Sequence, residues 1–186
     1  MANAKVQPDI VIDRLLAVFR ALGYDGASMA DLAAATGLKK ASLYHRFPDG
    51  KQAMAQAVLD HLDEWTKENL TEVAFSSTPV NERVEVVLGH IRQLYKGGTV
   101  ACVYRAFSHG TAAPLFQETI SAQFRTWMDA FAHLAKEAGF AEEAAQRLGE
   151  EAVVRIQGVL ILSQTMGRPE WFDQALKDLR SPFDRG

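Results

Sequence analysis

A chain of 186 residues that is 48% hydrophobic and 23% charged can bury a sizeable core and is too apolar for a disordered one. No apolar run reaches the roughly 20 residues of a membrane span, the segment MANAKVQPDI lacks the apolar stretch of a signal peptide, and one cysteine, Cys102, excludes an intrachain disulfide or a cysteine-cluster metal site, so a cytoplasmic protein without a membrane partner is expected. The net charge of −3 conceals an asymmetry: residues 1–51 hold seven Lys/Arg against five Asp/Glu, and residues 52–186 hold thirteen against eighteen.

Val11, Leu15, Val18 and Leu22 recur at helical spacing and Gly23 follows, which predicts a first helix ending there. Ser28 with Asp31 three residues later has the form of a capping box, and Gly37 closes a short second helix over 29–35. A third helix runs from about Lys39 to Arg46, because Pro48 pushes Phe47 out of helical geometry. A fourth, capped by Asp49 with Gln52, carries one apolar stripe of Met54, Val58, Leu62 and Trp65 and extends to about Val73.

Beyond Ser76-Ser77-Thr78-Pro79, the residues Val80, Val84, Val87, Ile91 and Leu94 define a fifth helix that stops at Gly97-Gly98. Residues 99–113 read as a short helix and a loop, and Pro114 opens a seventh helix with the stripe Phe116, Ile120, Phe124, Trp127, Phe131 and Leu134. An eighth helix spans about 141–166 and, after Gly167-Arg168-Pro169, a ninth carries Trp171, Phe172, Leu176 and Leu179. No segment alternates with a period of two, so the fold class is all-α with about nine helices.

Helices two and three have the parts of a helix-turn-helix: a short support helix, a turn at Gly37, apolar Leu32, Leu38 and Leu43 to pack the pair, and a two-turn helix that is otherwise polar. Such a helix suits a major groove about 12 Å wide. The stretch SMADLAAATGLKKASLYHRFPDGKQA, from Ser28 to Ala53, resembles the N-terminal module of the TetR/AcrR family of bacterial regulators, and Phe-Pro-x-Gly-Lys is similar to a subgroup that includes multidrug-export regulators. Leu32 stands where the family more often has Ile, and Arg46 stands where it more often has His or Tyr.

The resemblance implies that Ser28, Tyr44 and Lys51 lie on DNA phosphates, while Lys39, Lys40, Ser42 and His45 face base edges or the adjoining backbone. It further implies a division into a helix-turn-helix DNA-binding domain over 1–50 and a ligand-binding and dimerisation domain over 51–186. The implied partners are a double-stranded DNA operator, a small effector and a second copy of the chain.

For the effector, the aromatic excess on the seventh helix points to a lipophilic or aromatic molecule. The candidate lining is Tyr95, Phe107, Phe124, Trp127, Met128, Phe131 and Leu160, with Arg105, His109 and Gln164 as polar groups. His90, His109 and His133 lack metal-ligand spacing, so neither a metal nor a cofactor is expected. Val153, Val154, Ile156, Val159, Leu160, Ile161 and Leu162 cannot all face one core, which predicts a homodimer through helices eight and nine. Leu160, Val159 and Phe172 are the positions where a charge should prevent it.

The residues contain no nucleophile-base pair, phosphate loop or paired-carboxylate motif, so an enzyme is not expected. The reading is a ligand-released repressor on a palindromic operator. The competing reading is a protein-interaction adaptor, which would lack the steep salt dependence of DNA binding.

Overall fold

The first helix breaks where its sequence lets it: Gly23 takes φ 73° and ψ 172° inside α1 (Pro8–Gly26), and a last turn follows. The computed structural model describes residues 7–185, among which there are nine helices and no strand. After α1 come α2 (Met29–Thr36), α3 (Lys40–Arg46) and α4 (Lys51–Thr66), the last prolonged by a π-helical turn at Lys67–Thr71 and by Glu72–Ala74. Then follow α5 (Val80–Leu94), α6 (Val103–Phe107), α7 (Ala113–Glu137), α8 (Glu142–Met166) and α9 (Glu170–Arg180). None of these helices is long and apolar enough to cross a membrane.

The chain forms two compact units, one up to Asp63 together with Val103–Ile120, the other Glu64–Cys102 together with Ser121 onward. The division expected at residue 50 lies at the start of α4, and Met54, Ala55, Val58 and Leu59 of that helix are buried in the first unit. The inclusion of α6 and its flanking turn has a packing cause. Phe107 meets Phe19 with ring centroids 5.2 Å apart and Phe116 at 5.4 Å, and Tyr24 meets Phe116 at 5.7 Å, so segments distant in sequence share one aromatic core.

The capping box forms as expected. The Ser28 side chain accepts from the Asp31 amide at 3.2 Å while the Asp31 carboxylate accepts from the Ser28 hydroxyl at 2.6 Å and the Ser28 amide at 2.9 Å, and the two bonds that Ser28 donates, the hydroxyl's first, hold the Asp31 carboxyl below its ordinary range. Replacing Ser28 by Ala is expected to cost about 1 kcal/mol, read as a lower denaturation midpoint; an unchanged midpoint would show that the cap contributes nothing. Gly37 sits at φ 71° and ψ 13°, the left-handed conformation that a side chain disfavours, and turns the chain from α2 into α3. Leu32 and Leu43 are fully buried and Leu38 half-buried, so the apolar seam between the two helices stands where it was expected.

The cap of α4 differs from expectation. The Gly50 carbonyl takes the first helical bond, from the Met54 amide at 3.1 Å, because Phe47 to Gly50 form a tight turn closed by a 2.9 Å bond; Asp49 is left one residue outside the capping position.

In the second unit Trp65 stacks on Trp127 at 6.1 Å, and the Trp127 indole N–H donates to Thr66 Oγ1 at 3.1 Å. The buried Arg83 of α5 donates through Nη1 to the Ala74 carbonyl at 2.6 Å and reaches Glu137 at 3.4 Å, which ties α5 to the end of α4 and to α7. At Gly149 an added Cβ would lie 2.3 Å from the Met128 carbonyl, so a residue without a side chain is required where α8 passes α7.

The crowded apolar run on α8 resolves into two faces. Val153, Ile156 and Leu160 are buried, whereas Val154 is 68%, Ile161 49%, Leu162 54% and Met166 59% exposed. Successive residues on a helix diverge by about 100°, so Leu160 and Ile161 cannot share a face. The surplus apolar surface is real, yet two of the three positions chosen from sequence to disrupt a dimer are wrong for it: Leu160 and Phe172 face their own core, and Val159 is half-buried.

Candidate nucleic-acid interface

Leu43 anchors α3 from its buried side, and the remainder of that helix turns outward. Lys39, Lys40, Ser42 and His45 are exposed, and Tyr44 is 49% exposed. Lys39 occupies the N-cap in extended conformation, and its carbonyl accepts from the Ser42 and Leu43 amides at 2.9 and 3.1 Å, so Lys40 opens the helix with its side chain free of that duty. Arg46 is half-buried, and its buried Nη1 meets no acceptor in the structure.

The three residues expected on phosphates are brought together from separate elements. Ser28, Tyr44 and Lys51 line one open depression whose wall also includes Gly50 and the carboxylates of Asp25 and Asp49. The Tyr44 ring lies against Gly50, where an added Cβ would come to 3.2 Å from its Cε1. Lys51 has a structural task as well: its ammonium donates to the Tyr24 carbonyl at 2.8 Å and the Ala27 carbonyl at 3.2 Å, and sits 4.6 Å from the Tyr24 ring centroid. Of its three N–H groups, two are thereby used on the C-terminal end of α1 and one is left for an outside acceptor. Burial, with Asp25 beside it as a smaller cause, pushes the Tyr24 phenol above its ordinary value.

One contact was not legible in the sequence. Asp25, at the end of α1, accepts from the Thr111 amide at 3.1 Å and from the Thr111 hydroxyl at shorter range. Those two bonds hold its carboxyl below the usual range. The partners are 86 positions apart, and neither carries a local motif.

The residues expected to bind an effector divide between the two units. Arg105, Phe107 and His109 belong to the first, where Phe107 is core and the other two are exposed. In the second, Tyr95 is buried, donates to Cys102 Sγ at 3.5 Å and accepts from the Gln157 amide at 3.3 Å. Trp127 and Leu160 are buried, Phe124 and Met128 half-buried on α7, and Gln164 is exposed on α8. Phe131 is the member of this set that lines a cavity of about 350 Å³ near the end of the chain. Among the described residues, no group of three or more His, Cys, Asp or Glu is placed to hold a metal ion.

Comparison with known proteins finds two family descriptions on the chain. The description "Bacterial regulatory proteins, tetR family" matches residues 11–58, and "Transcriptional regulator LmrA/YxaF-like, C-terminal domain" matches residues 92–178. An uncharacterised regulator, YxaF of Bacillus subtilis, is 25% identical over 154 residues, 80% of either chain. IcaR of Staphylococcus aureus, a negative transcriptional regulator of a biofilm operon, is 40% identical over 50 residues, 27% of either chain. A cysteine-substituted variant of the TetR-family regulator CifR, solved with 26-bp double-strand operator DNA, has the same fold with a TM-score of 0.76 at 18% identity, covering 100% of this chain and 99% of that one. With one family description on its N-terminal module and another on most of the rest, the chain belongs to the TetR family of bacterial transcriptional regulators.

Proposed function

We propose that the protein works in the cytoplasm as a homodimeric repressor that binds a palindromic operator through α3 and is released by a small lipophilic or aromatic effector, without catalytic activity. The observation that carries this reading is the outward face of α3, where Lys39, Lys40, Ser42, Tyr44 and His45 stand exposed on a helix pinned by buried Leu43. Lysines suit guanine acceptors and phosphate charge, and hydroxyls suit phosphate oxygens. CifR bound to operator DNA and IcaR, named a negative regulator, support both the target and the direction of control. The exposed Val154, Ile161, Leu162 and Met166 of α8 support the dimer, since several large apolar side chains left on water along one helix suit an interface.

Lys40→Ala is expected to change the preferred base at one operator position, whereas Tyr44→Phe and Lys51→Ala weaken binding to all sequences alike. For Lys51→Ala the slope of log affinity against log salt should also become shallower by about one, measured by titrating labelled duplexes at several salt concentrations. If Lys40→Ala leaves affinity and preference intact, α3 is not the reading helix. Release of DNA by effector is thermodynamic competition: a ligand favouring a conformation that splays the two reading helices weakens operator binding by its affinity ratio between the two conformations. Helix α4 is a candidate transmission element, since it leaves the DNA-reading module and continues past Asp63 into the second unit.

A further inference from the structure

The cavity near the end of the chain has a lining that the sequence reading did not group. Its apolar wall is formed by Phe131 of α7, Phe140 of the following turn, Leu148 of α8, Leu179 of α9 and Phe183 beyond α9, with the Phe140 and Phe183 ring centroids 6.4 Å apart. Its volume of about 350 Å³ falls in the range of small-molecule sites. Arg155, Glu151 and Asp178 supply its polar side. Among the described residues the Arg155 guanidinium has no ion-pair partner within 4.0 Å, while the Asp178 carboxylate accepts from the Gln174 amide at 2.8 Å.

The charges decide the ligand class. An arginine fork with no ion-pair partner among the described residues is a receptor for a carboxylate. A purely anionic ligand would also meet two carboxylates, and a purely cationic one would meet the arginine. A head bearing both charges satisfies all three groups, and the three phenylalanine rings ask for an apolar, preferably aromatic, body.

We propose that this cavity binds a small zwitterion with an apolar side chain, an aromatic α-amino acid or a close derivative. The carboxylate lies on Arg155, the ammonium faces Glu151 and Asp178, and the ring lies among Phe131, Phe140 and Phe183. This rests on the effector reading above and names its chemistry.

The test is calorimetric titration of the full-length protein with L-phenylalanine, 3-phenylpropionate and 2-phenylethylamine. L-Phenylalanine should saturate with a Kd below about 1 mM, and each single-charge analogue should bind at least about tenfold more weakly. Arg155 is exposed, so Arg155→Gln leaves the fold intact; it should weaken L-phenylalanine and phenylpropionate by about tenfold and leave phenylethylamine unchanged. Leu148→Trp, which fills the half-buried wall, should remove binding of all three. The proposal is overturned if L-phenylalanine does not saturate, if the amine binds as tightly as the zwitterion, or if Arg155→Gln leaves L-phenylalanine affinity unchanged. Operator affinity with and without L-phenylalanine tests the effector reading separately: Arg155-dependent binding with unaltered operator affinity upholds the site and refutes its coupling to DNA.

Discussion

Ile161→Asp and Leu162→Asp are each expected to yield a folded monomer whose operator affinity has dropped about 1000-fold or more, to the non-specific level. Both side chains are about half exposed on α8, so within one protomer a carboxylate there stays in water and disturbs no core. In a dimer formed over this face the same carboxylate is buried without a partner, and an unpaired buried charge opposes association strongly. One reading helix then binds one half-site alone, without the second half-site that a symmetric dimer engages on a palindrome.

Sedimentation and far-ultraviolet circular dichroism check the two halves of the expectation, loss of the dimer with retention of helix. Leu160→Asp is the control that separates interface from core: Leu160 is 1% exposed, so that variant should lose helix content instead. A wild-type protein that sediments as a monomer at micromolar concentration would refute the dimer and the palindromic operator with it.

Trp127→Ala is expected to destabilise the second unit by about 3–5 kcal/mol, a fall in melting temperature of roughly 10 °C for a protein of this size. The indole is 2% exposed, stacks on Trp65, and is the donor to Thr66, whose hydroxyl is itself buried. Truncation removes the packing, leaves a cavity and strips the Thr66 oxygen of its partner, and the two losses act in the same direction. Trp127→Phe should recover part of the packing and none of the hydrogen bond. Guanidinium denaturation followed by circular dichroism measures both. A loss under about 1 kcal/mol for Trp127→Ala would mean that the indole wall is loosely packed and available to a ligand, as its aromatic helix suggested from sequence.

How much of the protein was legible in its sequence depended on range. The Ser28 and Asp31 box, the turn at Gly37, the break at Gly23 and the stop at Gly167 are local signals, in which a backbone conformation or a capping bond is decided within four residues. They were read correctly because no distant contact competes with them. Asp49 was misjudged for a related reason, since the turn closed at Gly50 places the first helical carbonyl one residue later than spacing alone implies.

The sequence by itself determined the all-α class, the nine helices and the polar, basic surface of α3, because periodicity and capping are properties of neighbouring residues. Only the tertiary structure decided which face of each helix is covered. It turned Leu160 and Phe172 inward and left Ile161 and Leu162 outside, and it drew Phe107 into the aromatic core of the first unit. It also placed Asp25 on Thr111, committed Lys51 to the carbonyls that end α1, and gathered Phe140, Leu148, Arg155 and Phe183 around one cavity. These outcomes depend on how chain segments tens of residues apart pack, and a one-dimensional pattern of apolar residues is the same whichever neighbour covers them.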